Sequence, residues 1–131
     1  VYKRQRLPKL LQTHKPNVVL IELGGNDGLR GQPPLMIQKN LAQLIQQSQK
    51  ANATVVVLGM KMPPNYGTAY SKAFENNYKV VSQQYKVKLL PFFLEGVAGN
   101  KSLMQKDLVH PNGKAQPILL NLAYPYIKGA L

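Results

Sequence analysis

Unbroken apolar runs alternate with helical stripes along this chain. "NVVLIEL" (17–23) and "TVVVLGM" (54–60) are continuous apolar strands of the kind that a parallel sheet buries on both faces. Between them, Leu35, Ile37, Leu41, Leu44 and Ile45 approximate a helical stripe that runs from 35 to about 50. Ahead of the first strand, Leu7, Leu10 and Leu11 have helical spacing, and Pro16 in "THKPN" stops that helix. Tyr70, Phe74, Tyr78 and Val81 share one side of a helix over about 68–85, and "KVKLLPFF" (86–93) holds a third strand. After an irregular stretch over 94–104, a final helix starts near Asn112. Pro117 suits its first turns, and Pro125 should kink or end it near Tyr124.

Strands that alternate with helices predict an α/β domain with a parallel sheet and right-handed crossovers. In such sheets ligands bind beyond the carboxyl ends of the strands. Three loops follow strands here: "GGNDGLRGQPP" after the first, "KMPPNYG" (61–67) after the second, and the segment containing "KDLVHPNGKAQP" after the third. They should meet on one edge, and that expectation needs only the strand assignments.

The length of 131 residues suits one small domain, and an apolar fraction of 44% is enough for a core. No apolar run approaches the roughly 18 residues of a membrane helix. With no cysteine there is neither a disulfide nor a thiolate metal site. Two histidines and five acids leave little from which to build a metal cluster. No metal or other cofactor is expected. Seventeen Lys/Arg against five Asp/Glu give a formal charge of +12. That excess attracts anionic partners, but the basic residues are scattered and not interleaved with stacking aromatics, so nucleic acid is not an expected partner.

Asp107 and His110 are three residues apart, just before Pro111 and a helix. A carboxylate there can accept from one ring nitrogen and leave the other free as a base. Asn26, flanked by Gly24, Gly25 and Gly28, sits just beyond the first strand. Its amide can donate to a developing oxyanion, or Asn26 and Asp27 can simply cap a turn or helix. A nucleophile is harder to find. Ser48, Ser71 and Ser82 fall on helices, Ser102 lies in the irregular run without an activating neighbour, and none stands in Gly-Asp-Ser or Gly-x-Ser-x-Gly.

Together, "IELGGNDGLRG" and "DLVHPNGKAQP" resemble blocks III and V of the SGNH (GDSL) hydrolases. The likeness is strongest to the bacterial branch of acyl-CoA thioesterases, lysophospholipases and arylesterases. It runs in order from about Arg6 to the C-terminus, through "MPPNYG" and "LLPFF". The resemblance implies a flavodoxin-like three-layer α/β/α fold and a Ser-His-Asp mechanism on acyl esters and thioesters. It makes His110 the general base and acid, Asp107 its orienter and Asn26 an oxyanion donor. The turn over 28–33 and the loop over 62–67 become mobile rims of the acyl site, with Gly25, Met62 and Pro63 as substrate contacts. It also implies a periplasmic or secreted protein, acyl ester, thioester or lysophospholipid substrates, and no stable membrane insertion.

In that family the serine and a second oxyanion donor, a glycine, lie ahead of every segment found here. The chain is therefore expected to be the C-terminal portion of a single SGNH domain. It would lack its first strands and nucleophile, and be inactive alone. "VYKRQ" (1–5) departs from the pattern just where the likeness begins, and it is what the end of a transposase adaptor from sequencing libraries encodes. Residues 1–5 are accordingly expected to be foreign. The alternatives are a non-catalytic module that holds an acyl or glycan ligand in the same cleft, and a basic protein that binds anionic lipid. Strand 17–23 is expected to present an unpaired apolar edge.

Overall fold

The computed structural model describes residues 2–131, with side chains from Gln5 onward. The expectation that residues 1–5 are foreign falls mainly on side chains outside that description. Eight main elements follow in order: α1 (Tyr2–His14), β1 (Val18–Ile21), α2 (Gly25–Leu29), α3 (Pro34–Lys50), β2 (Thr54–Leu58), α4 (Thr68–Gln84), β3 (Lys88–Leu90) and α5 (Gln116–Ala130). The strands form a parallel sheet in the order β1-β2-β3, with Val18 opposite Thr54 and Val56 opposite Lys88.

The pleat of β2 explains the three layers. Successive side chains point to opposite faces. Val55 and Val57 pack with Ile37, Leu41 and Ile45 of α3 and with Phe74, Tyr78 and Val81 of α4. Val56 and Leu58 pack with Leu90 and with Ala123 of α5. The sheet is thus covered by helices on both faces, as expected. A third cluster, built from Leu94, Val97, Met104, Ala115 and Leu119, fills the space beneath the loops after β3.

Three local expectations need correction. Residues 17–23 are not a strand buried on both faces, because β1 spans only Val18–Ile21 and Leu20 is 43% exposed. As an edge strand β1 has a neighbour on one side only, and α5 covers the face of β2 and β3. The segment after β1 is not a loop throughout, because it holds a short helix over Gly25–Leu29, entered through Gly24 at φ +102. Pro125 does not end the last helix near Tyr124, since the helix runs on to Ala130. The carbonyl that a proline leaves without a donor is that of Asn121, four residues earlier, and Asn121 is exposed to water.

Beyond β2 the backbone closes tightly on β3. Gly59 N–H donates to the Leu90 carbonyl at 2.8 Å, and Phe93 N–H donates to the Gly59 carbonyl at 2.9 Å. A Cβ at Gly59 would lie 2.4 Å from the Pro91 carbonyl oxygen, which is backbone and cannot swing aside. Gly59→Ala should therefore cost about 1–3 kcal/mol, the range for overpacking, read as a lower denaturant midpoint. Leu20 on the open edge generates a second expectation. With Val19, Ile21, Leu7 and Leu10 it borders an apolar groove beside α1. The chain should self-associate as its concentration rises, and Leu20→Lys should shift it towards monomer in analytical sedimentation, because charge on an edge opposes strand pairing.

Candidate active site

The Asp-His loop is built by its own backbone. Met104 and Pro111 form an antiparallel bridge at its base. Gln105 N–H donates to the His110 carbonyl at 2.7 Å, and Asn112 N–H donates to the Leu103 carbonyl at 2.9 Å. The Asn112 amide donates to the Ser102 carbonyl at 2.8 Å, while its Oδ1 accepts from Lys114 N–H at 3.0 Å and caps the turn before α5. Below the bridge, Met104 is buried in the third apolar cluster. Leu108, at φ +58, makes the sharp turn that brings both ends of the loop together.

Within this frame Asp107 Oδ2 meets His110 Nδ1 at 2.7 Å. Asp107 Oδ1 accepts from the backbone N–H groups of Val109 and His110, each at 3.0 Å. The bond to the His110 ring, then the backbone N–H groups of His110 and Val109, hold the Asp107 carboxyl down at about 2. Asp107 therefore stays ionised and fixes the ring through Nδ1. Among the described residues, Nε2 takes no hydrogen bond.

The Asn26 segment is held from outside. The Tyr78 hydroxyl donates to the Leu23 carbonyl at 2.8 Å, the Tyr66 hydroxyl to the Leu29 carbonyl at 2.8 Å, and Asn77 Nδ2 to the Pro34 carbonyl at 2.7 Å. The Tyr70 hydroxyl lies 3.0 Å from the Gly28 carbonyl and 2.8 Å from that of Gln32. Gly28 is required, because a Cβ there would lie 2.5 Å from the Phe74 ring. Burial pushes the Tyr78 hydroxyl far above the ordinary phenol range, so it is a donor at any ordinary pH. The Asn26 side chain makes no hydrogen bond among the described residues.

The two loops and the segment after β2 enclose a cleft of about 230 Å³. Gly25, Asn26, Met62, Pro63 and His110 all line it, so the structure brings the expected site residues together; Asp107 stands behind His110. Met62 is 8% exposed and serves the main core as well. The remaining walls are largely apolar, including Leu29, Met60, Phe92 and Leu94. Two charged groups in the lining escaped sequence reasoning. Lys61 sits with Nζ 5.3 Å from the centre of the Phe92 ring. Glu22 has its carboxyl pushed up by loss of water, against the opposing pull of His110. The sequence signal for Glu22 was its place at the carboxyl end of β1, beside Asn26.

The serines remain apart from the histidine. Ser48 Oγ donates to the Leu44 carbonyl at 2.9 Å, Ser102 Oγ to Asn100 Oδ1 at 2.7 Å, and Ser71 and Ser82 keep buried hydroxyls without a hydrogen-bond partner. An oriented imidazole with an open Nε2 and a nearby unpaired amide can take a proton and stabilise an oxyanion. It needs a nucleophile to act upon.

Known proteins share both sequence and fold with the chain. Residues 2–116 match the GDSL-like lipase/acylhydrolase family. The chain is 50% identical over 126 residues to the esterase TesA of Pseudomonas aeruginosa, covering 96% of this chain and 63% of that protein. It is 45% identical over 114 residues to thioesterase 1/protease 1/lysophospholipase L1 of Escherichia coli K12, covering 87% of this chain and 55% of that one. It thus spans between about half and two thirds of these relatives. The crystal structure of TesA superposes with a TM-score of 0.94 at 49% identity, over 98% of this chain and 71% of that chain. By sequence along most of its length, and by fold, the chain belongs to the GDSL-like lipase/acylhydrolase family.

Proposed function

We propose that these 131 residues carry the general base, its orienter and an oxyanion donor of a hydrolase acting on acyl esters and thioesters. A serine contributed by a segment outside them would be the nucleophile. The observation that carries this reading is the 2.7 Å bond between Asp107 and His110 Nδ1, which leaves Nε2 open at a cleft also lined by Asn26. In the first half-reaction Nε2 takes the serine proton while the oxygen attacks the acyl carbonyl carbon. The electron pair of the C=O bond moves onto its oxygen, where the Asn26 amide donates. Collapse restores the carbonyl and expels the alcohol or thiol, which takes the proton from His110. Water then repeats the sequence and releases the acid. Asp107 keeps the imidazole in the required tautomer and stabilises its charged form.

The names of the relatives support acyl esters, thioesters and lysophospholipids as substrates, and the apolar walls of the cleft suit an acyl chain. No described helix is long and apolar enough to cross a membrane. The family resemblance supports a periplasmic or secreted location. Fractionation of cells expressing the whole gene tests it, and a purely cytoplasmic product overturns it.

Joining the chain to the N-terminal third of Pseudomonas aeruginosa TesA tests the reaction. The 131-residue chain alone should hydrolyse p-nitrophenyl butyrate no faster than buffer, and the fusion should turn over that ester and an acyl thioester. In the fusion, Asn26→Ala should lower kcat by roughly 10²–10³ with a smaller change in KM. His110→Ala and Asp107→Asn should each lower kcat by about 10⁴ or more. A fusion that binds acyl ligands without turnover would instead identify a binding module.

The Asp107 carboxyl also sets a pH dependence. Its folded value, about 2, lies below the ordinary value of about 3.9. The ionised group therefore stabilises the fold above about pH 4, and that contribution is lost as pH falls through about 2. The gap in thermal midpoint between the chain and Asp107→Asn should begin to shrink below about pH 4 and be largely gone once pH has fallen through about 2. A gap undiminished at pH 2 would assign the effect to packing.

A further inference from the structure

Four non-glycine residues with positive φ stand out among the described residues: Lys15, Asn52, Lys86 and Leu108. Lys15, Asn52 and Lys86 follow the ends of α1, α3 and α4, where a left-handed residue closes a helix. Leu108 closes no helix. It is the apolar member of the four, at φ +58 between Asp107 and His110, and its side chain is 59% exposed. A branched side chain is disfavoured in this conformation, whereas glycine or asparagine adopts it readily. The turn accounts for the backbone conformation but not for the leucine, which adds strain and exposes apolar surface together. Strain of this kind persists where a side chain is held for use.

The place of Leu108 supplies the use. It lines the cleft beside Val109, which is 40% exposed, and shares the lining with Leu29, Met60, Met62 and Leu94. Its own N–H is held by the Gln105 carbonyl at 2.9 Å, and the next two N–H groups are held by Asp107. The backbone of the turn, and with it the Cα–Cβ direction of Leu108, is therefore fixed relative to His110. We propose that Leu108 is a specificity-determining residue: an apolar lip on the catalytic turn that packs against the hydrocarbon of a medium or long acyl substrate and biases the site against short chains. This rests on the hydrolase reading for its substrate class, but its contact can be measured separately.

In the fusion with the TesA N-terminal third, Leu108→Asn keeps the left-handed turn while removing the apolar lip. It should lower the ratio of kcat/KM for p-nitrophenyl decanoate to that for the acetate ester about tenfold, mainly through KM for the decanoate. Leu108→Met should retain the decanoate preference. Equal losses on both esters, or no loss on decanoate, would overturn the proposal while leaving the hydrolase reading intact. A fusion inactive on every ester would count against the hydrolase reading alone. The lip is then decided on the 131-residue chain by displacement of cis-parinaric acid with dodecanoate. Several-fold weaker dodecanoate binding in Leu108→Asn than in the unaltered chain supports it. Equal binding, or no binding by the unaltered chain, overturns it.

Discussion

The Tyr78 hydroxyl donates to the Leu23 carbonyl at 2.8 Å, and a Cβ on Gly24 would lie 2.8 Å from that same hydroxyl. This contact joins the buried face of α4 to the backbone just ahead of Asn26. Without it the Leu23 carbonyl at the end of β1 would have to find another donor. Leaving a half-buried carbonyl unpaired costs about 1–3 kcal/mol, and the position of Asn26 depends on the same bond. Tyr66, Tyr70 and Asn77 extend the attachment along residues 28–34. A glycine-rich segment, which on its own would sample many conformations, is thereby held by side chains from a helix some 40–55 residues later in the chain.

The two halves of the site are positioned by different physics, and that difference governed what could be read from the sequence. Asp107 and His110 belong to one turn; the bonds of the Asp107 carboxylate lie within residues 107–110, and the base of the loop is closed by bonds no further away than residues 102–112. Local spacing therefore carries the geometry, and the Asp-x-x-His pattern disclosed it. Asn26 is local only in its glycines. The hydroxyls that fix its segment looked like one apolar stripe on α4, because Tyr70 and Tyr78 present rings to the core and spend their hydroxyls elsewhere. Nothing in a helical period says where a tyrosine hydroxyl will donate. Glu22 and Leu108 were hidden for a related reason: each is distinguished by the cleft it faces or the backbone angle it adopts, and neither property is written in residue type.

The fold was legible where burial was complete. β2, with Val55 to Leu58 all buried, has the unbroken apolar run that its two covered faces require. β1 has a similar run but not the same surroundings, and Leu20 shows that hydrophobicity states a need for burial without guaranteeing it. Pro125 is the converse. Its rule is local, yet the cost of the lost hydrogen bond depends on the surroundings of that turn, and Asn121, four residues earlier, lies on an exposed part of α5. The family pattern implied the three-layer arrangement, whereas the meeting of the loops on one edge followed from the strand order alone.

Stability and site geometry converge on β1. Its hydrogen-bonded ladder runs to β2 alone, so one side of the strand that delivers Glu22, Gly24 and Asn26 has no neighbour among the described strands. A strand held on one side can twist or slip more freely than one held on both, and a displacement at Ile21 would reach Asn26 within five residues. Tyr78 opposes that displacement from the helical layer, perpendicular to the sheet, whereas a ladder partner would oppose it within the sheet. The two restraints are not interchangeable: one sets the depth of the Asn26 segment over the core, the other its register along the strand. The cleft can therefore hold the correct depth from α4 alone, while the spacing between the Asn26 amide and His110 Nε2 depends on how firmly the open edge of β1 is held.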